Sequence, residues 1–170
     1  ALGLDFLAVS FAREAGDIEK ARSLLEAVGG KADIVAKIER AEAVENIESI
    51  IDASDIIMVA RGDLAVEVGY AAMTSLQKRL IHLTRSRNKI SITATQMLES
   101  MIQHTSPTRA EASDVANAVM DGTDAVMLSA ETAVGEHPVQ AVQVMNELCL
   151  GAEKHEIFSG APNYRLDDVF

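Results

Sequence analysis

The chain has 170 residues, with 26 acids against 15 bases and a formal net charge of −11. An apolar content of 48% suits one globular domain with its own core and excludes a disordered segment, while the acidic balance argues against a nucleic-acid binder, since phosphate backbones are held by excess Lys and Arg. A single cysteine, Cys149, cannot build a disulfide framework and fits a reducing, cytoplasmic compartment, and no run of roughly 18 apolar residues marks a membrane span.

The opening stretch 1–12 is apolar but carries Asp5 and lacks a basic leader, which reads as a buried strand rather than a targeting segment. The same kind of run recurs down the chain. Asp5-Phe-Leu-Ala-Val-Ser10 is followed by Asp33-Ile-Val-Ala-Lys-Ile38, Asp55-Ile-Ile-Met-Val-Ala60, Lys89-Ile-Ser-Ile-Thr-Ala94 and Asp124-Ala-Val-Met-Leu-Ser129. These runs are short, β-branched and nearly continuous in apolarity, as expected of parallel strands covered on both faces.

Helical stretches separate them. Residues 17–28 stop at Gly29-Gly30, a helix-ending signal. Residues 42–53 place Val44, Ile47, Ile50 and Ile51 on one face, and residues 71–87 do the same with Leu76, Leu80 and Leu83. Pro107-Thr108-Arg109 leads into a helix running to about Met120, and Pro138 opens the last helix. Ser159-Gly160-Ala161-Pro162-Asn163 reads as a linker. Alternation at this spacing predicts an α/β fold of βαβ units. Five such units form either an open doubly wound sheet or five-eighths of a (β/α)8 barrel, and periodicity does not choose between them.

In both architectures, reactive groups gather at the carboxyl ends of the strands. The second strand ends in Lys37-Ile38-Glu39, the third in Arg61-Gly62-Asp63, the fourth in Thr95-Gln96 and the fifth in Ser129-Ala130-Glu131. Strand alternation puts Val35, Lys37 and Glu39 on the inner face, with Ile34, Ala36 and Ile38 against helices. Glu39 and Asp63 from neighbouring strands make a two-carboxylate site for Mg2+, which takes one or two carboxylates and completes its shell with substrate oxygens and water. Lys37 would stabilise negative charge beside it, and Gly62 lets backbone approach a ligand. Each motif alone has a bland explanation: Lys-x-Glu as a solvated face, Thr95 and Ser129 as helix caps, Glu131 as a helix N-terminal charge. Four strand ends carrying such groups together favour a site. His82, His104, His137 and His155 show no metal-ligand spacing, and the basic cluster Lys78, Arg79, Arg85, Arg87 and Lys89 suits a helix C-terminus. Met97 and Met101 read as core filling.

These motifs resemble the pyruvate kinase family, in its bacterial form, over nearly the whole chain to about Lys154. The resemblance is carried by Ala36-Lys-Ile-Glu39, Ile57-Met-Val-Ala-Arg-Gly-Asp-Leu64, Ala94-Thr-Gln-Met-Leu-Glu-Ser-Met-Ile102, Pro107-Thr-Arg-Ala-Glu111, Ser113-Asp-Val-Ala-Asn-Ala-Val119 and Asp121-Gly-Thr-Asp-Ala-Val-Met-Leu-Ser129. Phe6-Leu-Ala-Val-Ser-Phe11 is similar to the family's fourth barrel strand. The resemblance therefore implies a partial (β/α)8 barrel made of strands 4–8, with 1–155 as the later part of the catalytic barrel and 156–170 as a linker toward a C-terminal domain.

The family transfers phosphate from phosphoenolpyruvate to ADP, giving pyruvate and ATP, with Mg2+ and usually K+. By resemblance, Glu39 and Asp63 are the metal ligands, and Lys37 supports phosphoryl transfer and the enolate. Gly62 and Asp63 hold the substrate carboxylate through backbone contacts, with Arg61 counted among the substrate-binding residues. Thr95 lies where the enolate carbon is protonated, and Ser129 and Glu131 sit further out at the mouth. The family's K+ ligands and a phosphoryl-contacting arginine belong to its first barrel strand, which these residues do not include. The 170 residues alone are therefore expected to lack turnover, and their open barrel edges to drive homo-oligomer formation. Two other readings compete: a Mg2+-dependent lyase or aldolase acting on pyruvate-like substrates, and a non-catalytic open α/β sheet serving as an interaction module.

Overall fold

The computed structural model describes residues 3–154; the expected linker at 156–170 and His155 lie outside them. Among the described residues, β1 (Phe6–Val9), β2 (Asp33–Ile38), β3 (Ile56–Ala60), β4 (Ile90–Ala94) and β5 (Ala125–Met127) form one sheet in the order β1-β2-β3-β4-β5. Every neighbouring pair is parallel. A doubly wound sheet must reverse its strand order at a switch point, and this sheet has no reversal. Sequential parallel strands with helical crossovers are the arc of a (β/α)8 barrel, so the open interaction-module sheet is set aside.

The helices are α1 (Ala15–Ala27), α2 (Ala41–Glu45), α3 (Ile47–Ala53), α4 (Arg61–Val68), α5 (Tyr70–Ser86), α6 (Arg109–Met120), α7 (Ala130–Ala133) and α8 (Pro138–Glu153), with a 3₁₀ turn at Glu99–Ile102. Two departures from the sequence pattern have clear causes. The helix expected over 42–53 is broken at Asn46, whose side-chain amide leaves the helical path to donate to the Arg13 carbonyl (3.0 Å). Ile47, Ile50 and Ile51 remain buried on one face despite the break. The stretch after β3, to which the sequence pattern assigns no helix before residue 71, is the helix α4, which docks through buried Leu64 and Ala65. Gly69, at φ +84°, separates it from α5 in a conformation that side-chain-bearing residues rarely adopt.

Strand alternation sorts the core into two layers. Ile34, Ala36, Ile38, Ile57 and Val59 face outward and pack with Ile18, Ile47, Ile50, Ile51, Leu64 and Leu80 from the helices. Val35, Ile56, Met58 and Ala94 face inward, with Ile92 and Met127 against them. A third cluster joins Met97, Leu98 and Met101, which follow β4, to α6 and α8. The inner layer thins toward β1, where Phe6 is 57% exposed.

The aspartates that introduce the strands pin the register. Asp55 donates its amide to the Ile34 carbonyl (3.0 Å), while its carboxylate accepts from the Ile34 amide and from Arg22 Nη2, each at 2.8 Å. Asp124 repeats the device on Ser91, donating to its carbonyl (3.1 Å) and accepting from its amide (2.8 Å) and hydroxyl (3.0 Å). Each carboxylate satisfies an amide at the start of the neighbouring strand that would otherwise lack a partner, and a one-residue slip would break both bonds. Partial burial opposes ionisation of Asp55, but the Ile34 amide and the Arg22 guanidinium outweigh it and hold the carboxyl below its ordinary range. Because the folded-state value is lowered, its stabilising contribution is full above the ordinary carboxylate range and is lost as pH falls through the lowered value. Asp55→Ala is therefore expected to destabilise the chain by about 1–2 kcal/mol at neutral pH. Urea unfolding followed by circular dichroism checks this, and the difference from the parent chain should shrink in acid; a difference constant with pH would refute it.

Candidate active site

The site is assembled at the carboxyl end of the sheet. Lys37, next to last in β2, points inward with a quarter of its side chain exposed. Its Nζ contacts Glu39 Oε1 at 2.5 Å and donates to Ser10 Oγ at 3.1 Å. An ammonium has three N–H donors, so one is left without a partner among the described residues. Glu39 is only 1% exposed, and its other oxygen accepts from the Phe11 amide at 2.7 Å. Phe11 sits at φ +55°, just past β1, so the turn leaving one strand aims an N–H at the carboxylate ending the next. The buried carboxylate is thus fixed from two sides, as a buried charge must be.

On the neighbouring strand, β3 runs directly into α4, and Asp63 falls in the first turn of that helix with an exposed side chain. Its carboxylate joins none of the ion pairs among the described residues. Gly62 donates its amide to Thr95 Oγ1 (2.8 Å), and a Cβ at 62 would lie 3.4 Å from that hydroxyl, so the two segments are in close contact. No group of three or more His, Cys, Asp or Glu side chains able to hold a metal occurs among the described residues. The donor set still fits a hard divalent cation, because Mg2+ asks the protein for only one or two carboxylates. Each Glu39 oxygen has one partner and a second lone pair to spare, and Asp63 faces solvent at the same end of the adjacent parallel strand.

Thr95 and Gln96, just past β4, adopt φ +68° and +54°. Consecutive left-handed residues without glycine are unusual, and for a β-branched threonine strongly so; such backbone costs about 1–3 kcal/mol per residue. Arg61 supplies the opposing force. Its Nε donates to Thr95 O (3.2 Å), and its Nη2 to Thr95 O (2.8 Å) and Gln96 O (3.0 Å). Hydrogen bonds from a charged donor contribute about 1.5–3 kcal/mol each, enough to offset the strain. Nη1 reaches Asp114 Oδ2 (2.6 Å) and Gln77 Oε1 (3.4 Å). All five N–H donors of Arg61 are therefore spent on protein, which corrects the expectation that this side chain meets substrate directly.

Glu131 departs from an outer position at the mouth. It is 2% exposed, and its oxygens accept from the Leu98 amide (3.1 Å) and the Ser129 amide (2.7 Å), tying the end of β5 to the segment after β4. Ser129 precedes α7 without a side-chain capping bond. Glu111 braces the same segment from α6: it accepts from the Ser100 amide (2.7 Å) and hydroxyl (2.5 Å) while completing a capping box with Thr108. Partial burial resists ionisation of Glu111, but Ser100 and Thr108 together hold its carboxyl below the ordinary range. Cys149 has no comparable setting, since burial and nearby Glu153 push its thiol up. The sequence reading passed over Ser10, Gln77 and Asp114. Ser10 was open to detection as the polar end of the first strand, whereas Gln77 and Asp114 lie on helix faces that carry no local signal.

Comparison with known proteins agrees with this geometry. Residues 1–142 match the family model described as pyruvate kinase, barrel domain. A pyruvate kinase of Haemophilus influenzae is 55% identical over 172 residues, and pyruvate kinase II of Salmonella typhimurium is 57% identical over 172 residues. Both alignments cover 99% of this chain and 36% of the relative, so the chain spans about a third of the length of these curated relatives. A crystal structure of a pyruvate kinase from Cryptosporidium parvum superposes with a TM-score of 0.85 at 46% identity, covering 88% of this chain and 32% of that one. A parallel sheet in sequential order, a match over most of the chain and close identity across it lead to one conclusion: the chain belongs to the pyruvate kinase barrel-domain family.

Proposed function

We propose that this chain supplies the metal- and enolate-binding half of a barrel that transfers the phosphoryl group of phosphoenolpyruvate to ADP, giving pyruvate and ATP. The observation that carries the reading is the Lys37–Glu39 pair at the end of β2, beside an exposed Asp63 at the end of β3. Phosphoryl transfer asks the protein for positioning and charge neutralisation more than for covalent chemistry. Lys37, steered by Ser10 and Glu39, keeps an N–H for the bridging oxygen of the substrate, where negative charge builds as the phosphoryl group leaves. The first turn of α4 turns backbone amides toward the mouth, where a carboxylate is favoured. Thr95, locked beside Gly62, is the residue nearest in role to protonation of the enolate carbon. Glu39 and Asp63 would hold Mg2+, which when bound neutralises the phosphate and carboxylate oxygens. K+ belongs to the same proposal, with its ligands on the family's first strand.

The reading places the protein in the cytoplasm with its soluble substrates, and no helix among the described residues is long and apolar enough to cross a membrane. It includes a homo-oligomer, a reading to which the exposed Phe6 on the inner face lends support.

Two outcomes test it. In a full-length enzyme containing this chain, Lys37→Met is expected to lower kcat by about 10²–10³-fold, and Asp63→Ala to raise the Mg2+ concentration needed for half-maximal rate. Pyruvate release measured with and without ADP checks both; unchanged turnover in both variants, or aldol cleavage without nucleotide, refutes the kinase reading in favour of a lyase. For the chain by itself, sedimentation is expected to show species larger than the 18.2 kDa monomer. A clean monomer with exchange-protected amides on β1 and β5 would overturn the self-association.

A further inference from the structure

Arg61 is 8% exposed and makes five hydrogen bonds to four acceptors, which fall on two sides. On one side are the carbonyls of Thr95 and Gln96, the two consecutive left-handed residues. On the other are Asp114 from α6 and Gln77 from α5. The second side borders a cavity of about 350 Å³ lined in part by Arg61, Gln77, Gln96 and Asp114. A continuous path of contacts therefore runs from Asp114 through the guanidinium to the Thr95 carbonyl, and from the Thr95 hydroxyl to the Gly62 amide. Lys37 and Glu39 are tied separately, to Ser10 and Phe11 on the other flank.

We infer that Arg61 is a positioning residue, anchored by Asp114 and Gln77, that keeps Thr95 in its left-handed conformation with its hydroxyl against the Gly62 amide. Released from the clamp, Thr95 relaxes toward negative φ, the usual region for a β-branched residue, and its hydroxyl leaves Gly62. Lys37 and Glu39 keep their own supports and the Asp63 carboxylate takes no part in the clamp, so most substrate and metal contacts survive while the geometry at Thr95 and Gly62 is lost. The inference rests on the reading of this mouth as the phosphoenolpyruvate site only for its kinetic readout; the structural readout stands without it.

The test uses a full-length enzyme carrying this chain within its barrel. Asp114→Ala is expected to speed hydrogen exchange at the Gly62 amide and to lower kcat by about 10–100-fold, the size of effect that a misplacement of about 1 Å produces, with little change in KM for phosphoenolpyruvate. Such a pattern means that a contact specific to the transition state is lost. Asp114→Asn, which keeps an acceptor for Nη1, should recover part of the rate. Adding Gln96→Gly to Asp114→Ala should also recover part, because glycine takes positive φ without a clamp. Wild-type Gly62 exchange and kcat in Asp114→Ala would overturn the inference. So would a loss of rate that tracks thermal destabilisation and is not rescued by Gln96→Gly. Should Asp114→Ala fail to fold, Gln77→Ala, which removes one acceptor and keeps the ion pair, is read by the same exchange and rate measurements. If Lys37→Met leaves turnover intact while Asp114→Ala still loosens Gly62, the functional reading fails and the clamp stands.

Discussion

A carboxylate withdrawn from water at the end of one strand organises this molecule. Glu39 is almost wholly buried, and a buried charge is stable only when its lone pairs are claimed. The Lys37 ammonium claims one oxygen and the Phe11 amide the other. Removing the Lys37 ammonium would leave a buried charge without its counter-ion, which costs several kcal/mol, typically about 3–5. The constraint reaches outward from there. It accompanies the left-handed exit of β1 at Phe11 and the contact of Ser10 with Lys37, and leaves one ammonium N–H without a partner among the described residues.

The other flank of the mouth is held by different means. Left-handed backbone at Thr95 and Gln96 opposes the preferences of both residues, and a buried guanidinium offsets the cost. Glu131 and Glu111 act similarly on the segment after β4, each spending its carboxylate on backbone amides. The rim is therefore braced by charged side chains from α4, α6 and α7 that are consumed inside the protein. Charges left facing solvent, such as Asp63, are the ones available to a ligand. This division separates positioning groups from groups that meet substrate in a way that residue type alone does not.

Much of the fold was legible from the residues. Five short apolar runs, four led by Asp and one by Lys, became five parallel strands, and the two-residue alternation sorted Ile34, Ala36 and Ile38 from Val35. Elements whose signal is local and periodic emerged close to their expected bounds, among them α1, α5, α6 and α8. Errors arose where a side chain answers to something distant in sequence. Asn46 breaks a helix to reach Arg13, 33 residues away, and Arg61 turns from the mouth toward Asp114, 53 residues away.

By itself the sequence determined the alternation of strands and helices, the inner and outer faces, and the family, because those depend on short-range periodicity and on ordered motifs. Only the tertiary structure decided that the strands lie in sequential order, that Arg61 and Glu131 are tied to neighbouring segments, and that Lys37 meets Ser10 and Glu39. Each of those outcomes depends on which carbonyl, amide or carboxylate arrives from tens of residues away to satisfy a buried charge, and no local pattern records that partner.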